Sequence, residues 1–138
     1  MKSPALEHSR WVGALAIVAI VFGLLTILSG GRTLFDADAR QLAGNYVAFV
    51  LWFNFLAGFA YVTAGVGLWF WQRWAMWLSF AIAAATLLIF VAFGVQIWTG
   101  GSYEMRTVAA MGLRTITWLV ISVVAYTKLA NTQYQVTV

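Results

Sequence analysis

A chain of 138 residues that is 63% hydrophobic and only 9% charged carries more apolar surface than a water-soluble core of that size can hide, since soluble domains are about 45–50% apolar and about 25% charged. The net charge of +4 comes from eight Lys and Arg that are scattered along the chain, which excludes the one-sided basic patch of a nucleic-acid binder. The absence of cysteine excludes disulfides, thiolate metal sites and dithiol chemistry carried by this chain.

Apolar runs of membrane length, each needing about 20 residues to cross a core of roughly 30 Å, predict four crossings in one all-α domain, at residues 11–29, 46–71, 74–98 and 107–127. The first, Trp11–Ser29, is too long for the h-region of a signal peptide, and Ser29-Gly30-Gly31 makes a poor cleavage site, so a retained helix is expected. His8, the one histidine, precedes this span. Bis-histidine haem ligation within one chain is therefore impossible, and no metal site is expected.

The connection from Gly30 to Asn45 is the longest. Within it Phe35, Ala39 and Leu42 share a helical face while Asp36, Asp38 and Arg40 point elsewhere, the pattern of a short amphipathic helix on the outer surface or, failing that, of a polar loop. The second span, Tyr46–Trp71, places Asn54, Gly58, Tyr61 and Gly65 at helical spacing, a small and polar stripe that packs on another helix or lines a cavity. Only Gln72-Arg73 separates it from the third span, so the two form a tight antiparallel hairpin. Trp69, Trp71, Trp74 and Trp77 flank that turn and set it at a membrane surface. Ala81, Ala83, Ala84 and Ala85 in the third span, with Gly23, Thr26, Ala60 and Ala64 elsewhere, allow close helix packing. The segment Leu129–Val138 is expected to leave the membrane as a short tail.

With cytoplasmic termini, Lys2, Arg10, Arg73 and Lys128 lie inside, while Arg32, Arg40 and Arg106 lie outside beside Asp36, Asp38 and Glu104. The positive-inside rule favours that orientation.

Ionisable side chains are expensive in hydrocarbon and mark sites there. Only Arg114 sits at depth, eight residues past Arg106 and so about 12 Å along the fourth span. Asn54 is eight residues into the second span, and Gln96, Tyr103, Glu104 and Arg106 would cap the pair on the outer side. One reading is an outward-opening ligand pocket of Arg114, Asn54, Tyr61, Gln96, Tyr103, Glu104 and Arg106 for a quinone, lipid or anion. The other is an arginine that bonds Asn54, a backbone carbonyl or Glu104 and fixes helix register. Catalytic constellations are missing: there is no nucleophile with a histidine base, no intramembrane carboxylate pair, no His-Glu metal motif, and Gly65-Val66-Gly67 lacks the strand context of a dinucleotide loop. An enzyme is the less favoured class, and the lack of a carboxylate at depth argues against a proton-coupled exporter. An oligomeric channel lacks a charged ring or carbonyl filter.

Ala57-Gly58 to Gly67-Leu68, the turn Gln72-Arg73-Trp74-Ala75, an alanine-rich third span, the polar Gln96 and Tyr103-Glu104 opening the fourth span together resemble the DoxX-like family of four-helix membrane proteins over about two-thirds of the chain. The resemblance implies a bacterial inner-membrane bundle working beside a redox or respiratory partner. It assigns no chemistry to individual residues, and Gln96 stands where that family often has histidine. Two functions follow as expectations: a non-catalytic accessory subunit, or homo-oligomer, that meets its partner through Asp36–Arg40 and Gly100–Arg106, and a small-molecule binder or carrier built on Arg114 and Asn54.

Overall fold

The computed structural model describes the backbone of residues 4–134 and the side chains of residues 10–130. Lys2, the side chain of His8 and the end of the expected C-terminal tail lie outside them. Five helices follow in order: α1 (Pro4–Phe35), α2 (Ala37–Ala43), α3 (Ala48–Trp69), α4 (Arg73–Trp98) and α5 (Met105–Tyr134). Arg10–Phe35, Ala48–Trp69, Arg73–Trp98 and Met105–Ala130 are each long and apolar enough to cross a membrane. The protein is an all-α bundle of four such helices, with α2 as a short fifth.

The first span does not stop at Gly30-Gly31 as expected. In hydrocarbon an unpaired backbone group has no water to bond, and Gly30 packs directly on Phe55, so the helix runs on to Phe35. It ends where side chains replace the missing helical partners: Arg40 donates from Nε to the Thr33 carbonyl at 3.3 Å and from its terminal nitrogen to the Leu34 carbonyl. A cation at a helix C-terminus also complements the macrodipole. Asp36 then caps α2, its carboxylate accepting from the Asp38 N–H at 3.0 Å. The expected amphipathic helix is therefore present, but Phe35 belongs to the end of α1, where its ring meets Phe55 edge-on at 5.9 Å. The last span is also longer than expected, since α5 continues through Leu129 to Tyr134.

α1 and α3 are the most closely packed pair. Ala16, Gly23 and Gly30 recur every seven residues, and the antiparallel partner presents Gly65, Gly58 and Phe55 to them. A Cβ on Gly23 would lie 2.8 Å from the Gly58 carbonyl oxygen, and one on Gly65 would lie 2.9 Å from that of Ala16. With lipid as apolar as the side chains, close backbone approach and the dispersion contacts it allows hold such a pair together. Gly58 and Gly65 thus face α1 and are filled by Ile27 and Ile20, whereas Asn54 and Tyr61 are buried; the stripe expected on one face divides between two tasks. Ala81 and Ala84 are exposed, leaving Ala83 as the buried packing residue of that run. α3 packs on α4 and α4 on α5, while α1 and α5 make far fewer close approaches. That seam is the loosest of the four.

The two tight connections share one hydrogen-bond pattern. After α4, Gly101 N–H bonds the Gln96 carbonyl at 2.9 Å and Gly100 N–H bonds that of Ile97, with Gly100 at φ 90°. After α3, Gln72 N–H bonds the Gly67 carbonyl at 2.9 Å and Trp71 N–H bonds that of Leu68. Here the left-handed position is filled by Trp71, at φ 56°. Glycine occupies such a position without a steric cost, while an L side chain there costs about 1–2 kcal/mol.

Candidate functional site

Two apolar clusters stack along the bundle. One, at the end that carries α2 and the α4–α5 connection, gathers Val47, Val50, Phe93 and Met111; the larger one contains Val12, Ala16, Leu68, Ile82 and Ile121. A polar layer lies where they meet. Counted from the helix ends beside α2 at about 1.5 Å per residue, Phe22, Tyr61, Thr86 and Trp118 all sit about 18–20 Å along their helices, near the middle of the bundle, and Arg114 lies one turn nearer that end on α5. Asn54 is about 9 Å into α3, because α3 begins at Ala48 rather than at Tyr46. Arg114 and Asn54 are therefore not at equal depth as the sequence suggested.

Tyr61 is the hub of this layer. Its ring stacks on Phe22 with centroids 6.0 Å apart and lies 4.8 Å from Trp118, and Thr86 and Arg114 lie near its O–H. Arg114, half-buried on α5, holds its guanidinium carbon 5.7 Å from the centre of the Phe22 ring across the α1–α5 seam, a cation–π distance. Buried hydroxyls in this protein usually bond the carbonyl one turn back: Thr26 to Phe22, Ser79 to Ala75, Thr115 to Met111 and Ser122 to Trp118, all at 2.7–2.8 Å. Thr86 does not. Among the described residues five buried polar atoms, Asn54 Oδ1, Tyr61 Oη, Thr86 Oγ1, Arg114 Nε and Trp118 Nε1, have no hydrogen-bond partner. Native interiors rarely leave such atoms unpaired, and each costs about 1–3 kcal/mol.

The other expected site residues are placed elsewhere. Glu104 accepts from the Asn45 N–H at 2.9 Å, and Arg106 donates to the Leu42 carbonyl at 3.4 Å, so the α4–α5 loop grips the α2–α3 connection. Gly44, at φ 71°, lets the Glu104 carboxylate approach, for a Cβ there would lie 2.6 Å from Glu104 Oε1. Glu104 is thus bonded to this connection rather than to Arg114. The Gln96 side chain lies against Gly101 in the turn after α4, and Tyr103 is exposed. Arg114, Asn54 and Tyr61 remain as buried or half-buried members, joined by Thr86, Trp118 and Phe22, which the sequence reading did not single out. A tryptophan at mid-span, far from the interfacial belts, was the available signal. Among the described residues, neither Arg114 nor Asn54 lines the grooves formed by Arg10 and Trp69, by Ile20 and Phe70, or by Arg40 and Trp52. Among the described residues no group of His, Cys, Asp or Glu could hold a metal ion.

The fold and the polar layer define a multi-pass helical membrane protein with a polar centre. Comparison with known proteins returns no family model, no curated protein and no solved structure that matches the chain.

Proposed function

We propose that this protein binds a membrane-borne amphiphile with a carbonyl-bearing head, of the quinone class, at the Arg114–Tyr61 layer. The observation that carries the reading is the set of unpaired buried atoms in that layer: Nε of Arg114, Nε1 of Trp118 and the hydroxyls of Tyr61 and Thr86. Three or more donors beside a single cation suit a carbonyl, which accepts from N–H and O–H alike. Access runs laterally through the loose α1–α5 seam, at whose edge Arg114 is half-exposed, so the ligand enters from lipid and the outer apolar cluster keeps water out. The resemblance to DoxX-like proteins supports the same setting: a bacterial inner membrane and a redox or respiratory partner supplied by another protein.

The accessory-subunit reading has its own support in the outer face. Phe35 and Leu42 are 72% and 80% exposed beside Asp36 and Asp38, a surface suited to a partner subunit. Native mass spectrometry of the full chain, incubated in detergent with a short-chain benzoquinone, tests the first reading. Retention by wild type and its loss in Arg114→Ala and Thr86→Val is the expected result. Equal retention in both variants, or none in wild type, would overturn it.

A further inference from the structure

At the opposite end of the bundle, two adjoining grooves run down the outside of α1 and α3. The first, about 380 Å³, is lined by Arg10, Gly13, Ala14, Ile17, Trp69 and Trp71. The second, about 310 Å³, continues from Ile17 and Trp69 to Ile20, Val66 and Phe70. Each has the volume of a small-molecule site, about 300–1,000 Å³. Among the described residues Arg10, near the start of α1, is the only charged lining residue, and the lining further along α1 is apolar. From Arg10 to Ile20 the groove descends about 15 Å along α1, which is half of a roughly 30 Å hydrocarbon core and so the depth of one leaflet.

Trp71 is the second observation. The equivalent turn after α4 uses Gly100 at the left-handed position, whereas this turn places a tryptophan there, at φ 56°. Strain of this kind persists where surrounding structure or function requires the side chain, and here the indole packs partly on the core and lines the groove together with Arg10 and Trp69. Indoles favour the headgroup level. The same end of the bundle carries Arg73 and Lys128, with Glu7 three residues before Arg10 on α1, while Asp36, Asp38 and Glu104 are at the other end.

We infer that this groove is a specific site for one phospholipid with an anionic headgroup, whose phosphate meets Arg10 between the tryptophans and whose acyl chain lies along Ile17, Ile20 and Val66. It is separate from the Arg114 layer and does not depend on it.

The test reconstitutes the full chain in discs of equal parts phosphatidylcholine and phosphatidylglycerol and identifies co-retained lipid by native mass spectrometry. Wild type retains one phosphatidylglycerol, enriched about fivefold over the bulk, as one arginine at an anionic surface allows. Arg10→Gln brings the retained lipid to the bulk ratio. A Cβ at Gly13 meets only the rim of Trp69, at 3.8 Å, so Gly13→Leu folds, fills the groove and abolishes retention of either lipid. Trp71→Gly relaxes the turn and keeps the helix content, yet lowers retention, which a tryptophan serving packing alone would not do. Arg114→Ala leaves the lipid in place, and Arg10→Gln leaves benzoquinone retention unchanged, so the two sites fail independently. Bulk lipid ratios in wild type, undiminished retention in Gly13→Leu, or equal retention of free glycerol phosphate would each overturn the inference.

Discussion

Replacing Gly23 by alanine tests whether close backbone contact holds α1 to α3. The added methyl would sit 2.8 Å from both the Gly58 oxygen and a Val62 methyl carbon, and 2.9 Å from the Val62 nitrogen. Ordinary contact begins near 3.4 Å, so the deficit is about 0.6 Å, and two of the three atoms are backbone that no rotamer change can move. The helices must separate, loosening the neighbouring contacts of Ile27 on Gly58 and Ile20 on Gly65. Overpacking of this kind costs about 1–3 kcal/mol, against which alanine's helix propensity returns at most about 1 kcal/mol. The matched control is Gly94→Ala, where nothing lies within 4 Å of the new methyl and propensity alone acts. Unfolding in mixed micelles, followed by circular dichroism as denaturing detergent is titrated in, should place Gly23→Ala below wild type and Gly94→Ala at or above it. Equal stability of the two variants would refute the packing argument, because both carry the same change in propensity.

Gly44→Ala should destabilise the outer loops by about 1–3 kcal/mol, because φ 71° with ψ −136° is a conformation reserved for glycine. In the same unfolding assay Glu104→Ala should relieve the clash of that variant and leave its backbone strain. Tyr61→Phe removes a buried hydroxyl that has no partner and should raise the thermal midpoint of the ligand-free protein. The same variant should retain less benzoquinone, a stability gain with a binding loss that a purely structural tyrosine would not give. Arg40→Ala should fray the end of α1, read as faster amide exchange at Phe35, Asp36 and Ala37, whose N–H groups lie at or beyond that end, with the α3–α4 hairpin unaffected.

Composition and spacing alone determined that the chain is an all-α bundle with four membrane-length helices, because hydrocarbon leaves the backbone no partner but its own next turn and a crossing demands about 20 apolar residues. The same logic located the α3–α4 hairpin, although its turn falls at residues 70–72 and Arg73, expected in the turn, opens α4, and it marked Arg114, since a lone charge at depth stands out against an apolar background. Helix ends were less legible. Gly30-Gly31 reads as a break in isolation and becomes a contact once Phe55 lies against it, and the cap that ends α1 comes from Arg40, on the next helix. The site needed the tertiary structure most. Asn54, Gly58, Tyr61 and Gly65 share a spacing, but which of them meet α1 and which turn inward depends on how α1 crosses α3, a rotation that no single helix records. Thr86 and Trp118 join Tyr61 only because three separate helices bring the same depth to the same axis, and Glu104 bonds the α2–α3 connection because the loops fold over one another. Secondary structure in lipid is a local property of the chain; the meeting of side chains from different helices is a property of packing, and packing decides which polar groups are left without a partner.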